Sequence, residues 1–131
     1  QNRSQLVRIP MVKGDNCRME LRSPDPACNP YLAIGLVLAA GLDGIEHRMV
    51  LQPPVNKNLF RPGEAEGLGL EMLPATLEEA VAIAEESDFL HKVLPEALSR
   101  RYFAEERARC EALRAAADPA EYERIHYFNA I

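Results

Sequence analysis

The chain has 131 residues, 47% of them hydrophobic and 27% charged, with a formal net charge of −5. That is enough for one domain and hardly more, in the mixture of an ordinary soluble globular protein. The acidic balance argues against nucleic-acid binding, which needs a basic surface, and no stretch approaches the roughly 18 apolar residues of a membrane span.

The polar start, Gln1-Asn2-Arg3-Ser4, has no apolar signal-peptide core. Cys17, Cys28 and Cys110 are an odd number without a C-x-x-C pair. They point away from a disulfide scaffold or a zinc site and toward a cytoplasmic location. Charge is uneven: residues 1–26 carry five basic and three acidic groups, whereas the remainder carries ten basic and seventeen acidic. A basic head on an acidic body either meets something anionic or pairs with the body itself.

The head reads as a hairpin. Gln5-Leu6-Val7-Arg8-Ile9 is a β-rich run stopped by Pro10, and Lys13-Gly14-Asp15-Asn16 has turn chemistry. Cys17 to Arg22 alternates polar and apolar residues with period two, as a half-buried strand does. Ser23-Pro24-Asp25-Pro26 ends it. A two-stranded hairpin is marginal alone, so it has to lie on the following helices or join a larger sheet. Asn29 and Pro30 are an N-cap and N1 pair. They open a helix, Tyr31 to Leu42, that is apolar on every side and is expected to be buried all round. Gly35 and Gly41 inside it each cost about 1 kcal/mol against alanine, which suits a close backbone approach. Fraying is expected between Asp43 and Arg48.

Residues 50–73 lack periodicity, a length of loop that is usually functional, mobile or packed on a partner. Thr76 and Glu79 form a capping-box pattern before the stripe Leu77, Ala80, Val81 and Ala84. Ser87 caps a short helix with Phe89, Leu90, Val93 and Leu94. Pro95 opens a long, densely charged helix running to about Ala117, with a thin stripe of Leu98, Tyr102 and Leu113 and most of its surface in solvent. Asp118-Pro119 opens a last helix. Tyr122, Ile125, Tyr127, Phe128 and Ile131 crowd apolar groups into the tail, which reads as packing on a neighbouring subunit, the alternative being a fold back on its own helices.

On a strand, Arg18, Glu20 and Arg22 share one face while Met19 and Leu21 share the other. Arginine grips carboxylates and phosphates through two parallel hydrogen bonds. A carboxylate between such groups can hold Mg²⁺ or Mn²⁺ beside substrate phosphates. The plain reading is a solvated face whose charges neutralise one another. Arg3 and Arg8, on the neighbouring strand, differ in parity, so a flat strand would point them apart. His47, His91 and His126 share no ligand spacing and read as surface or helix-end residues. No Walker loop, G-x-G-x-x-G or G-x-S-x-G is present.

An ordered set of segments resembles glutamine synthetase. It comprises Asn2-Arg3-Ser4, Val7-Arg8-Ile9-Pro10, Arg18-Met19-Glu20-Leu21-Arg22 and Pro24 to Ala33. It continues with Ala39 to Ile45, Lys57-Asn58-Leu59-Phe60, Leu73 to Ala80 and Ser87 to Leu90. The likeness is to the C-terminal part of a type I enzyme's catalytic domain. It implies an ATP-dependent ligase that joins glutamate and ammonia through a γ-glutamyl phosphate, with Mg²⁺ or Mn²⁺ as cofactor. It also implies roles: Glu20 as a metal ligand, Arg22 on a glutamate carboxylate, Arg3 on the transferred phosphoryl group, ATP and substrate, and Arg8 and Arg18 on ATP. A homo-oligomer with the active site shared between subunits follows from the same likeness.

The family is several times longer, and it often has a lysine where Asp15-Asn16 stands here, which leaves Lys13 as a candidate ATP contact. Regulated bacterial members carry a tyrosine that is modified with AMP where this chain has Phe60. The expectation is an α+β fragment comprising an active-site hairpin over residues 1–23 and a helical part over 29–131, inactive alone. The alternatives are a relative that joins glutamate to a polyamine or other amine, and a non-catalytic packing or regulatory relative.

Overall fold

The computed structural model describes residues 4–61, 63–64 and 66–128. In chain order they form β1 (Val7–Arg8), a 3-10 turn (Gly14–Asn16), β2 (Glu20–Leu21), α1 (Pro30–Glu46), α2 (Leu77–Glu85), α3 (Asp88–Val93), α4 (Glu96–Ala115), α5 (Pro119–Glu123) and a π-helical turn (Arg124–Phe128). A small antiparallel sheet followed by helices makes this an α+β chain. It divides into two compact units, Gln1–Glu71 and Met72–Ile131.

In the first unit, β1 and β2 pair antiparallel with Val7 opposite Leu21 and Arg8 opposite Glu20. The strands are shorter than the alternation of the sequence predicts. Pro10 has no N–H to give a ladder, and the Val12 N–H turns back onto the Pro10 carbonyl at 2.9 Å, which leads the chain away from its partner. Gly14, at φ 66°, supplies the left-handed residue of the 3-10 turn. One further backbone bond, from the Arg22 N–H to the Leu6 carbonyl at 3.0 Å, extends the pairing by a step.

Helix α1 starts where its caps predict. The Asn29 Oδ1 accepts from the N–H groups of Tyr31 at 3.0 Å and Leu32 at 3.3 Å, with Pro30 at the first helical position. Its end is closed rather than frayed. The Met49 N–H reaches the Gly44 carbonyl at 2.9 Å and the Arg48 N–H reaches the Ile45 carbonyl at 3.1 Å, with Arg48 itself left-handed at φ 50°. This is a Schellman closure, with arginine where glycine usually sits. The expectation that α1 is buried all round is overturned: none of its residues is buried, and Tyr31, Leu38 and Ile45 are 87%, 64% and 76% exposed. Among the described residues the rest of the unit is two-residue strands, a 3-10 turn and irregular chain, and Leu32, Leu36 and Val37 reach no more than half burial. Between Val50 and Leu73 the described residues form neither helix nor strand.

The second unit holds every buried side chain among the described residues: Val81, Ser99, Phe103 and Glu106. Thr76 Oγ1 accepts from the Glu79 N–H at 3.2 Å, while the Glu79 carboxylate accepts from the Ala75 N–H at 2.8 Å, one residue earlier than a standard capping box. Ser87 caps α3 through the Leu90 N–H at 3.3 Å. Helices α2 and α3 both pack on α4, and Val81 of α2 and Phe103 of α4 are the apolar centre. The stripe read from the sequence therefore needs revision. Phe103 is the buried aromatic of α4, Tyr102 and Leu113 are half-buried, and Leu98 is exposed. Ser99 donates to the Glu96 carbonyl at 3.1 Å, and Glu106 accepts from Arg109 at 3.0 Å, so both buried polar groups are satisfied.

The tail returns to its own helices at α5, and packing on a neighbouring subunit stays an expectation of the sequence. Asp118 caps α5 by accepting from the Glu121 N–H at 3.1 Å, and α5 packs on α4. Tyr122 and Tyr127 are half-buried, whereas Ile125 and Phe128 stay exposed. Ile131 lies outside the described residues. Within the π-helical turn His126 stacks on Tyr122 at a ring separation of 3.9 Å.

Candidate functional site

The register of the hairpin builds the site. Arg8 stands directly opposite Glu20, and Arg18 lies two residues before Glu20 on its own strand side, so all three side chains emerge on one face. Arg8 Nη1 donates to Glu20 Oε2 at 2.9 Å, and Arg18 Nη2 donates to Glu20 Oε1 at 3.2 Å. One carboxylate is thus held by two guanidinium groups, one bonded to each oxygen. Arg18 Nη1 also donates to the Asn16 carbonyl at 3.3 Å, which ties the arginine to the turn. The hydrogen bond from Arg8, with the positive charges of Arg8 and Arg18 beside it, lowers the Glu20 pKa below its ordinary 4.5.

The arrangement remains open to solvent, with the side chains of Glu20, Arg8 and Arg18 31%, 37% and 52% exposed. A guanidinium has five N–H donors. Each arginine gives one of them to Glu20, and Arg18 gives another to the turn. Among the described residues, the other donors of both are open to a further anion. Arg22 follows β2 and is exposed, its N–H anchored to Leu6. Arg3 lies outside the described residues. Its neighbour Ser4 accepts a hydrogen bond from the Leu59 N–H at 3.0 Å across 55 residues of sequence. That bond brings the Lys57-Asn58-Leu59-Phe60 segment to the foot of the head. No period or spacing announces it, because it joins two irregular segments.

Glu20 is the single carboxylate in this row, and no group of three His, Cys, Asp or Glu side chains suited to a metal ion occurs among the described residues. With both Glu20 oxygens bonded to arginine, these residues do not by themselves form a divalent-cation shell. Cys17, Cys28 and Cys110 are free thiols. His47, His91 and His126 are exposed, each against a backbone carbonyl at or near a helix end, as the sequence suggests. Lys13 is exposed ahead of the 3-10 turn. No helix among the described residues is long and apolar enough to cross a membrane.

The sequence profile of the family described as "Glutamine synthetase, catalytic domain" matches residues 1–125. Among curated relatives, the glutamine synthetase of Methanosarcina mazei is 41% identical over 126 residues, covering 95% of this chain and 28% of the relative. That of Methanocaldococcus jannaschii is 42% identical over 118 residues, covering 88% and 26%. That of Staphylococcus aureus is 42% identical over 96 residues, covering 72% and 22%. The chain therefore spans little more than a quarter of the length of the first of these. A profile match along nearly its whole length, with identities near 40% to several relatives, makes this chain a member of the glutamine synthetase family and a part of its catalytic domain.

Proposed function

We propose that the hairpin of this chain is one wall of the nucleotide and glutamate site of an ATP-dependent glutamate–ammonia ligase. In that reaction the side-chain carboxylate of glutamate attacks the terminal phosphorus of ATP, ADP leaves, and ammonia then displaces phosphate from the γ-glutamyl phosphate. Arg8 and Arg18 would meet ATP, Arg22 a glutamate carboxylate, and Arg3 ATP, the transferred phosphoryl group and the substrate. Such roles suit arginine, which stays charged and makes planar two-point contacts with oxyanions. Glu20 would take one place in a Mg²⁺ or Mn²⁺ shell whose other ligands come from outside these residues. Phosphoryl transfer depends on several groups positioned together, so the 131 residues alone would be inactive. Oligomeric assembly and a cytoplasmic location belong to the same reading.

The observation that carries it is the Arg8–Glu20–Arg18 cluster, which concentrates three charged side chains on one exposed face of a two-residue ladder. Its arginines have N–H donors to spare, as an oxyanion site needs. The test is steady-state kinetics of a complete polypeptide carrying this sequence. Arg22→Ala should raise KM for glutamate at least tenfold with little change in KM for ATP, and Arg18→Ala should do the reverse. Equal effects of both variants on both constants would contradict the assignment.

A further inference from the structure

The irregular chain after α1 is fastened to the entry of the hairpin through a side chain. Asn58 opens a turn in which its Oδ1 accepts from the Phe60 N–H at 3.2 Å and its carbonyl accepts from the Arg61 N–H at 3.0 Å. Asparagine suits that position because its side chain copies the backbone acceptor of a turn. The acceptors of Asn58 thereby take two N–H groups and leave that of Leu59, a half-buried residue, to a group outside the turn. Ser4 is that group: its Oγ accepts from the Leu59 N–H at 3.0 Å across 55 residues of sequence. Ser4 is itself half-buried, three residues before β1. Two residues further on, the Leu6 carbonyl accepts from the Arg22 N–H at 3.0 Å. The chain entering the hairpin is therefore held from two sides, by the 58–61 turn at Ser4 and by the second strand at Leu6.

We propose that Ser4 is a positioning residue for the ligase reaction, its hydroxyl using the 58–61 turn as an anchor to fix the point from which the Arg3 side chain departs. Consecutive Cα atoms are about 3.8 Å apart across a trans peptide, so what holds Ser4 also holds the backbone that carries Arg3. A misplacement of about 1 Å can slow a reaction roughly 10²-fold, whereas one neutral hydrogen bond adds only modestly to stability. The Ser4 hydroxyl therefore matters to geometry more than to folding. The proposal rests on the role given to Arg3 above and adds to it the group that sets this arginine in place.

The test uses a complete polypeptide carrying this sequence. Ser4→Ala should lower kcat at least tenfold with the unfolding midpoint unchanged, and Ser4→Thr, which keeps the hydroxyl, should restore most of the loss. Arg3→Lys already lacks the planar fork of arginine. In that background, adding Ser4→Ala should lower kcat less than twofold, because a residue that acts through Arg3 has little further to lose. The full tenfold loss there overturns the proposal, since Ser4 then acts by another route. Hydrogen exchange reads the contact without turnover. The Leu59 amide should exchange at least tenfold faster in Ser4→Ala than in the parent, and at the parental rate in Ser4→Thr. Unchanged exchange in Ser4→Ala overturns the proposal, as does faster exchange with a parental kcat. A parental kcat in Arg3→Ala is the separate failure of the role given to Arg3, and it takes the proposal with it.

Discussion

Glu20 is the residue on which the hairpin's electrostatics turn. With a folded pKa below 4.5, its ionised form is favoured by folding, so its contribution is present above that pH and lost as pH falls through the lowered value. Carboxylate NMR of the isolated chain should therefore show Glu20 titrating below 4.5. Arg8→Ala should move it back toward 4.5, and an unmoved titration would mean that the pair does not persist in solution. Phe60 is a second residue with a definite consequence. It lacks the hydroxyl an AMP-attaching reaction must use, and mass spectrometry of the complete polypeptide should find no AMP on the Asn58-Leu59-Phe60 peptide. At this scale the shared face of Arg18 and Glu20 was legible from period two alone. Its closing partner was not, because Arg8 reaches Glu20 through a cross-strand register that one strand's alternation does not specify.

Among the elements, the α2–α4 pair shows what sequence periodicity can and cannot give. Arg107 Nε donates to Glu85 at 2.8 Å and Arg114 to Glu78 at 2.5 Å. Both pairs are seven residues apart on their own helices and run in opposite directions, so the helices are antiparallel. These bonds lower the Glu78 and Glu85 pKa values, yet exposed ion pairs contribute little to stability. The apolar contact between the helices matters more. Phe103→Ala should destabilise the second unit by about 3 kcal/mol, the usual cost of emptying a buried aromatic site, as measured by denaturant unfolding. The caps Asn29, Thr76, Ser87 and Asp118 were legible because each is a local pattern. Phe103 was not, because in a helix this charged its neighbour Tyr102 offers an equally good apolar stripe, and only the packing of α2 and α3 decides between them.

The tail adds a prediction of its own. Burial raises the Tyr127 pKa above 10.0, opposed by Arg109 and assisted by Glu106. Docking of the tail is thus favoured with the neutral phenol, fully present below pH 10 and lost as pH rises through the raised value. A spectrophotometric titration should show a late-ionising tyrosine component that Tyr127→Phe diminishes.

At the level of the whole molecule, family and fold class were legible, while the exposure of α1 was not. An all-apolar helix ordinarily marks a core. The sequence carries that instruction in Tyr31 to Leu42, but the described residues of the first unit form no layer over the helix, and none of its residues is buried. The helices of the second unit could be anticipated from their own caps, and its core is made by those helices. The account accordingly predicts that the 131-residue chain forms no glutamine from glutamate, ammonia and ATP. The most direct measurement is ATP-dependent glutamine formation by the complete polypeptide, with and without Glu20→Ala. A fall in kcat of at least a hundredfold, with the variant folded and assembled as the parent, is the result expected. Glutamine formation by the Glu20→Ala enzyme at the parental rate would contradict it.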